Sequence, residues 1–380
     1  MPLSTLSPSD HPLRGLRAEP LPVVRIGIVG LGQRGQTALR LLMLLRHARV
    51  TALCDACGDV AAEAMQRHMG SRAQAALCSG AEGYLDLCSR TDVDLVYICS
   101  DWESHARVAM AAMRCGKHVA IEVPAAVTLS DIEALVATAE ATRRHCTLLE
   151  NCLYDTSIAH AIEAVGRGEA GRVVHAEGSY YHQLAGRWTP WRIDINRRLR
   201  GDLYPTHAFG PICKALGIGS RDHLTTLVAM DSAAVTGQQV YARQTGHEPE
   251  AFANADHTLT LVHTALGTTI LLRHDVLTPQ PYDRSIAFVG THGRIEAGHE
   301  LEADAQEALE SVAAGVRPSM LSAHDPLTYE MNRRLVEALH LGGPLDVDAY
   351  EMAAWSAVGP LSRASIEGGS VPVAFPRHLQ

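Results

Sequence analysis

The period of apolar and polar positions changes once along this chain, near residue 155. Before that point, short apolar runs alternate with longer stretches in which apolar residues recur every three to four positions. Residues 24–29, 50–54, 94–99, 118–121 and 146–149 read as buried strands. Residues 37–45, 60–69 and 103–114 read as helices, with Gly116 as the stop of the third. Ser130 caps a further helix whose Ile132, Leu135, Val136 and Ala139 share one face. Strands alternating with helices at this spacing imply a parallel sheet covered on both faces.

After residue 155 the pattern differs. One helix, 157–166, precedes longer period-two runs at 173–182, 223–231, 258–264, 268–274 and 285–290. Leu259 and Leu261 alternate with Thr258 and Thr260, as in a half-buried antiparallel sheet. Helical pattern returns at 326–341 and 347–367, with Asp325 as a cap and Pro326 at the first helical position.

Composition narrows the function classes. The chain has 380 residues, 47% of them hydrophobic, and a formal charge of −9. Such a surface gains little from nucleic acid or an anionic membrane. No apolar run reaches the length of a membrane span. Residues 1–22 are rich in Pro, Ser and Arg, do not read as a secretory signal, and are expected as a flexible lead-in or a partner-contacting arm. Nine scattered cysteines, mostly in apolar runs, point to reduced thiols and a cytoplasmic location. Cys54 and Cys57 have CxxC spacing without a second pair, so they read as small residues at a strand end. Among 20 histidines no HExxH-type pair marks a metal, and none is expected.

The chemistry begins at Gly30-Leu31-Gly32-Gln33-Arg34-Gly35, set between the first strand and the first helix. Asp55 ends the next strand, twenty residues past the last glycine. Strand, glycine-rich turn, helix, strand and terminal acid make up the dinucleotide fingerprint. Gly30, Gly32 and Gly35 let backbone approach a pyrophosphate, and the helix N-terminus offers it free N–H groups. A carboxylate at Asp55 accepts from ribose hydroxyls and repels a 2′-phosphate, so NAD is expected rather than NADP.

In such a sheet the ligand lies beyond the carboxyl ends of the strands. There the chain places Ser100-Asp101-Trp102-Glu103-Ser104-His105, Glu122-Val123-Pro124 and Glu150-Asn151-Cys152. Later come Tyr180-Tyr181-His182, Trp191-Arg192 and Tyr204-Pro205-Thr206-His207. From the residues alone, His207 reads either as a proton carrier or as a structural histidine. Arg192 reads either as a clamp on a carboxyl or on sugar hydroxyls, or as the partner of a surface acid. Tyr180 and Tyr181 point to opposite faces of one strand, so at most one faces a ligand.

The layout resembles the Gfo/Idh/MocA oxidoreductases, in which a Rossmann domain precedes an open, mostly antiparallel sheet domain. The implied class is α/β: a Rossmann-like parallel-sheet domain at 23–155, then an α+β substrate domain with an open, predominantly antiparallel sheet at 156–345. A C-terminal helical segment, 346–380, is expected to pack back on the core. Most of that family carry Glu-Lys-Pro after the fifth strand, where the lysine assists proton transfer; this chain has Glu122-Val123-Pro124. The strings LGQRG (31–35), DLVYICSDWESH (94–105), GKHVAIEVPAA (116–126), RRHCTLLENCLY (143–154), HAEGSYYH (175–182), YPTH (204–207) and PQPYDR (279–284) are similar to glycoside hydrolase family 109. That family contains NAD-dependent hydrolases of N-acetylgalactosamine-type glycosides.

Carried over residue by residue, the resemblance implies NAD contacts at Gln33, Arg34, Asp55, Trp102, His105, Glu122, Val123 and Asn151. It implies sugar contacts at Tyr180, Arg192, Tyr204, His207 and Tyr282, with Glu150 near the same site. It also implies a glycan or small-molecule substrate and a homo-oligomer. The expected route is transient oxidation at C-3 of the sugar, removal of the acidified C-2 proton, loss of the C-1 aglycone and addition of water. NAD-dependent glycosidases of this kind stand outside the usual two-carboxylate mechanism. His207 is expected to handle the C-3 hydroxyl proton and Tyr180 the C-2 proton. Two further readings stay open: an NAD-linked sugar dehydrogenase, and a nucleotide-sensing regulator with no proton carriers.

Overall fold

The computed structural model describes residues 11–70, 74–184, 186, 188–298 and 325–380. They form two compact units. The first holds the described parts of 11–126, 130–151 and 325–353; the second holds those of 127–129, 152–298 and 354–380.

The first unit is built on a six-stranded parallel sheet of order β3-β2-β1-β4-β5-β6. Its strands are β1 (Val24–Val29), β2 (Ala48–Asp55), β3 (Ala76–Ser79), β4 (Leu95–Ile98), β5 (His118–Ile121) and β6 (Cys146–Leu148). Helices α1 (Gln33–Leu42), α2 (Gly58–Met69), α3 (Gly83–Ser89), α4 (Trp102–Arg114) and α5 (Leu129–Thr142) connect them. Near-continuous apolar strands are what a sheet buried on both faces requires; β4 and β5 are buried at every position. The expected face of α5 is buried at Ile132, Leu135, Val136 and Ala139, although the helix begins at Leu129, one residue before Ser130. α1 starts at Gln33, not at 37, because the glycine turn closes so tightly that Gln33 and Arg34 already form the first helical turn.

Residues 11–22 are packed, where a flexible arm was expected. Leu13 and Leu16 are buried. The His11 ring lies edge-on to Tyr350 at 4.4 Å, and His340 Nδ1 is 2.8 Å from the Leu21 carbonyl. Two isolated leucines carry no period, so the sequence does not signal their burial. Residues 1–10 of that arm lie outside the described residues, as does the side chain of Asp325.

The second unit carries a seven-stranded mixed sheet of order β12-β11-β7-β10-β9-β8-β13. Its strands are β7 (Val173–Tyr181), β8 (Leu224–Asp231), β9 (Thr258–Thr264), β10 (Thr269–Asp275), β11 (Ile286–Gly290), β12 (Gly293–Ala297) and β13 (Val373–Ala374). Only β7 and β10 pair in parallel; the other neighbours are antiparallel. The unit's helices are α6 (Thr156–Gly166), α7 (Pro190–Arg198), α8 (Thr206–Leu216) and α9 (Thr236–Thr245). α10 (Asp325–Leu341) belongs to the first unit, and α11 (Ala349–Glu367) begins there and continues into the second.

Period two holds in β9, and the faces are the reverse of a hydrophobic-in pattern. Thr258, Thr260, Val262 and Thr264 are buried, while Leu259 and Leu261 are 42% and 45% exposed. Met230 pairs with Leu259, and Val228 with Leu261, so the outer face carries an apolar row.

β7 and α8 approach closely. A Cβ at Gly178 would stand 2.9 Å from the Ala208 Cβ and 3.1 Å from Ile212. A glycine there lets the strand bearing Tyr180 lie directly against the helix bearing His207.

Candidate active site

In the first unit the glycine turn is shaped by steric need. Gly30 has φ +89°, and a Cβ on it would meet the Cys99 and Ser100 backbone at 2.5 Å. A Cβ on Gly35 would strike the Gly30 carbonyl. At Gly32, by contrast, a Cβ meets nothing within 4 Å. Gly32 is also the N-cap of α1, no side chain caps that helix, and its first turn has no acid. The turn therefore presents open backbone and a bare helix N-terminus, as a pyrophosphate requires. Asp55 Oδ2 accepts from the Leu31 amide at 2.7 Å and Oδ1 from the Cys57 amide at 3.0 Å. The same carboxylate thus ties the turn to the end of β2 and stands where ribose hydroxyls would be read. These residues fit NAD.

Three more of the expected cofactor residues converge. Arg34 Nε donates to Glu122 Oε1 at 2.6 Å. Burial opposes the Arg34 charge, yet Glu122 beside it holds the guanidinium above its ordinary range. Arg34 Nη1 and Asn151 Nδ2 both donate to Thr328 Oγ1, at 3.2 and 3.3 Å. Thr328 on α10 was not foreseen, because nothing local distinguishes it from any other threonine on a helix. Trp102 is buried at the start of α4, which Asp101 caps through the Ser104 amide at 3.0 Å. Val123 is buried and its peptide to Pro124 is cis.

His105 is different. Its ring has no exposed surface, and its nitrogens lie 2.9 and 3.0 Å from the Pro124 and Ser100 carbonyls. Burial pushes the imidazole pKa down. His105 braces the loops after β4 and β5. Glu150, just past β6, is fully buried.

In the second unit the structure gathers Tyr180, Tyr204, His207 and Tyr282. Tyr180 and Tyr204 are stacked, with ring centroids 5.4 Å apart and planes at 19°. The His207 ring stands edge-on to both, at 4.8 and 4.9 Å. Tyr282 completes the group at 6.5 Å from Tyr180. His182 joins it: its Nδ1 is 3.0 Å from Tyr180 Oη, and its ring lies 4.8 Å from Tyr282. The signal for His182 was available, since residues two apart on an extended segment share a face. Tyr181, on the opposite face, lies against His257. Arg192 sits on α7 with its guanidinium 4.4 Å over the Trp191 ring.

The loop that bears Tyr282 is held at both ends. Asp275 Oδ1 accepts from the Leu277 and Thr278 amides, each at 2.9 Å. Beyond Tyr282, Asp283 exchanges two backbone hydrogen bonds with Tyr181, and Arg284 pairs with Asp155. Both Arg284 and Asp155 are 2% exposed. Asp155 also caps α6 through the Ser157 and Ile158 amides. Burial pushes the Tyr282 hydroxyl up to about 12, so it stays a neutral donor near neutral pH.

Lysine is nearly absent. The chain holds only Lys117 and Lys214. Lys117 Nζ donates to the Arg90 and Val93 carbonyls at 2.6 and 2.9 Å, and Lys214 lies over the Trp355 ring at 6.0 Å. Both are engaged, and the position after Glu122 is a buried valine.

Residues 24–149 match the oxidoreductase family with an NAD-binding Rossmann fold. Residues 157–303 and 317–380 match the glycosyl hydrolase 109 C-terminal domain. A glycosyl hydrolase family 109 protein from Bacteroides fragilis is 38% identical over 95% of this chain and 86% of its own length. One from Phocaeicola vulgatus is 36% identical over 95% of this chain and 78% of its own. Among solved structures, an oxidoreductase domain protein from Kribbella flavida superposes with TM-score 0.75 at 20% identity, over 94% of this chain and all of that one. A Lactobacillus casei myo-inositol dehydrogenase in complex with NAD(H) and myo-inositol gives 0.69 at 17% identity, over 94% of this chain and all of that one. At such identities these two structures support the fold alone. With a dinucleotide turn that fits NAD, a second unit matched by its own domain model and relatives aligned over nearly the whole chain, this protein belongs to glycosyl hydrolase family 109.

Proposed function

We propose that this enzyme hydrolyses N-acetylgalactosaminides or related hexosides by transient oxidation at C-3, deprotonation at C-2, elimination of the aglycone and addition of water. One observation carries the reading: the second unit holds two proton-handling groups side by side, His207 and the Tyr180–His182 pair. Plain alcohol oxidation needs one proton acceptor. Elimination needs a second, for the C-2 proton.

When bound, NAD supplies a reversible two-electron acceptor for the sugar C-3 carbon. Arg34, Asp55, Glu122 and Asn151 would hold it, with the bare end of α1 on its pyrophosphate. A His207 ring nitrogen accepts the C-3 hydroxyl proton as that carbon is oxidised and returns it at the end. The C-3 ketone acidifies the C-2 hydrogen. Tyr180 Oη takes that proton while passing its own to His182 Nδ1, and the C-2 electron pair expels the aglycone from C-1. Water then adds at C-1 through its oxygen, its other proton going to the departed aglycone oxygen, and the relay returns a proton to C-2. Tyr204, Tyr282 and Arg192 orient the sugar, and Glu150 is kept as a third acid–base candidate.

A hexose dehydrogenase lacking its lysine is the weaker reading, because both lysines of the chain are engaged elsewhere. The exposed row of Met230, Leu259 and Leu261 is read as the face that a second copy covers. Glu177, with Arg273 and Arg294 beside it, places both charge signs on the same sheet, as a self-complementary contact needs. The test of function is turnover of a nitrophenyl N-acetyl-α-galactosaminide: sustained release of nitrophenol with no accumulation of reduced cofactor supports hydrolysis. Stoichiometric accumulation favours the dehydrogenase.

A further inference from the structure

Behind the ring cluster lie a carboxyl and an imidazole that the scheme above does not use. Asp202, between α7 and α8, is 1% exposed, and its backbone amide is fixed by Ser362 Oγ at 2.9 Å. Among the described residues no donor reaches either carboxylate oxygen in hydrogen-bond geometry. His274 Nδ1, on β10, lies 4.0 Å from Asp202 Oδ1. His274 is 4% exposed, and its Nε2 also lacks a partner among the described residues. Its ring runs nearly parallel to that of Tyr180, with centroids 6.4 Å apart and planes at 22°.

A buried carboxylate with so little hydrogen bonding is costly and rare, and such groups cluster where a reaction uses them. Burial pushes the Asp202 carboxyl up to about 7, opposed by the Tyr204 backbone amide. Burial pushes the His274 imidazole down to about 4. Near neutral pH His274 is therefore neutral, and Asp202 passes between its two forms. The titratable groups around them are Asp275 on β10, His257 just before β9, Tyr180 on β7, and Tyr204 and His207 at the start of α8. α11 presents the Ser362 hydroxyl. Asp275 is already held by the Leu277 and Thr278 amides, which leaves Asp202 as the carboxyl that changes state.

We propose that Asp202 is a positioning residue acting through His274: its buried carboxylate, 4.0 Å from Nδ1, favours the His274 tautomer with Nδ1–H toward it, and its negative charge favours the His207 imidazolium formed when that ring takes the C-3 hydroxyl proton. This rests on the proton-handling reading above. The rate of oxidation should then rise with pH as Asp202 ionises.

The test uses Asp202→Asn, which keeps shape and cannot ionise, with His274→Gln as a second variant, both in the NAD-loaded enzyme. On a nitrophenyl N-acetyl-α-galactosaminide, each should lose about tenfold in kcat with KM nearly unchanged, the loss expected from one pKa unit of differential stabilisation. The acid limb of the native kcat profile near pH 7 should vanish in Asp202→Asn. Thermal stability of that variant at about pH 8 should be equal or higher, since a buried unpaired charge is gone. Ring-nitrogen NMR of His274 in the native enzyme should show a step near pH 7 that Asp202→Asn abolishes. Native kcat and pH profile in Asp202→Asn would overturn the proposal, as would a His274 ring indifferent to residue 202. If that coupling holds and every glycoside stays intact, the pair is supported and the glycosidase reading falls.

Discussion

Tyr180 Oη and His182 Nδ1 stand 3.0 Å apart, on the same face of the extended chain at the end of β7. A tyrosine alone is a poor base near neutral pH, because its proton has nowhere to go. With an imidazole in contact, it accepts one proton as it gives up another. Tyr180→Phe keeps the stacked ring and removes the relay. It should lower kcat by about 100- to 10,000-fold, the usual worth of a general acid–base group. His182→Ala should fall in the same range, and the double variant should lose little more than either single one, because the two act as a unit. Kinetics of the three variants on one nitrophenyl glycoside measure this; fully additive losses would separate the two residues.

Arg284 and Asp155 test how Tyr282 is held. Removing one partner of a buried ion pair strands the other charge, at a cost of about 3–5 kcal/mol. Arg284→Ala should therefore lower the unfolding free energy by about that amount, and should weaken binding of the sugar more than binding of NAD. Equilibrium denaturation and two separate titrations distinguish these effects. A variant with unchanged stability would mean that Asp155 is satisfied by its capping of α6 alone.

The first unit has a built-in acid sensitivity. His118 and His145 are buried with ring centroids 5.0 Å apart, and burial lowers their pKa values to about 3 and about 4. In the unfolded chain a histidine titrates near 6.5. Between those values the unfolded state binds more protons than the folded one, so the contribution to stability is complete above about pH 6.5 and is lost as pH falls toward 4. Thermal melts across that window should show a falling midpoint, and His145→Phe should flatten the fall. An equal slope in the variant would assign the acid sensitivity to other groups.

Much of the first unit was legible because its signals are local. The turn from Gly30 to Gly35, the strand ending at Asp55 and the apolar runs of β4 and β5 each specify their own structure over a few residues. β3 and α3 were missed: Ala76–Ser79 is a half-exposed edge strand of only four residues. In β9 the period was readable and the buried face was not, because period two defines two faces without naming the inner one. Of the ring cluster, Tyr180, Tyr204, His207 and Tyr282 came from resemblance, and the structure brings them together. His182 was not singled out, although its spacing from Tyr180 put it on the same face. Thr328, Asp202 and His274 owe their places to segments far apart in the chain, and no local pattern announces them.

The central claim is that the glycosidic bond breaks by elimination across C-1 and C-2. Hydrolysis of a nitrophenyl N-acetyl-α-galactosaminide in deuterated water, with the released sugar analysed by NMR, tests it most directly. Deuterium at C-2 of the product, introduced when the Tyr180–His182 relay returns a solvent-derived proton, is the predicted result. Rapid hydrolysis with the C-2 protium fully retained would contradict it.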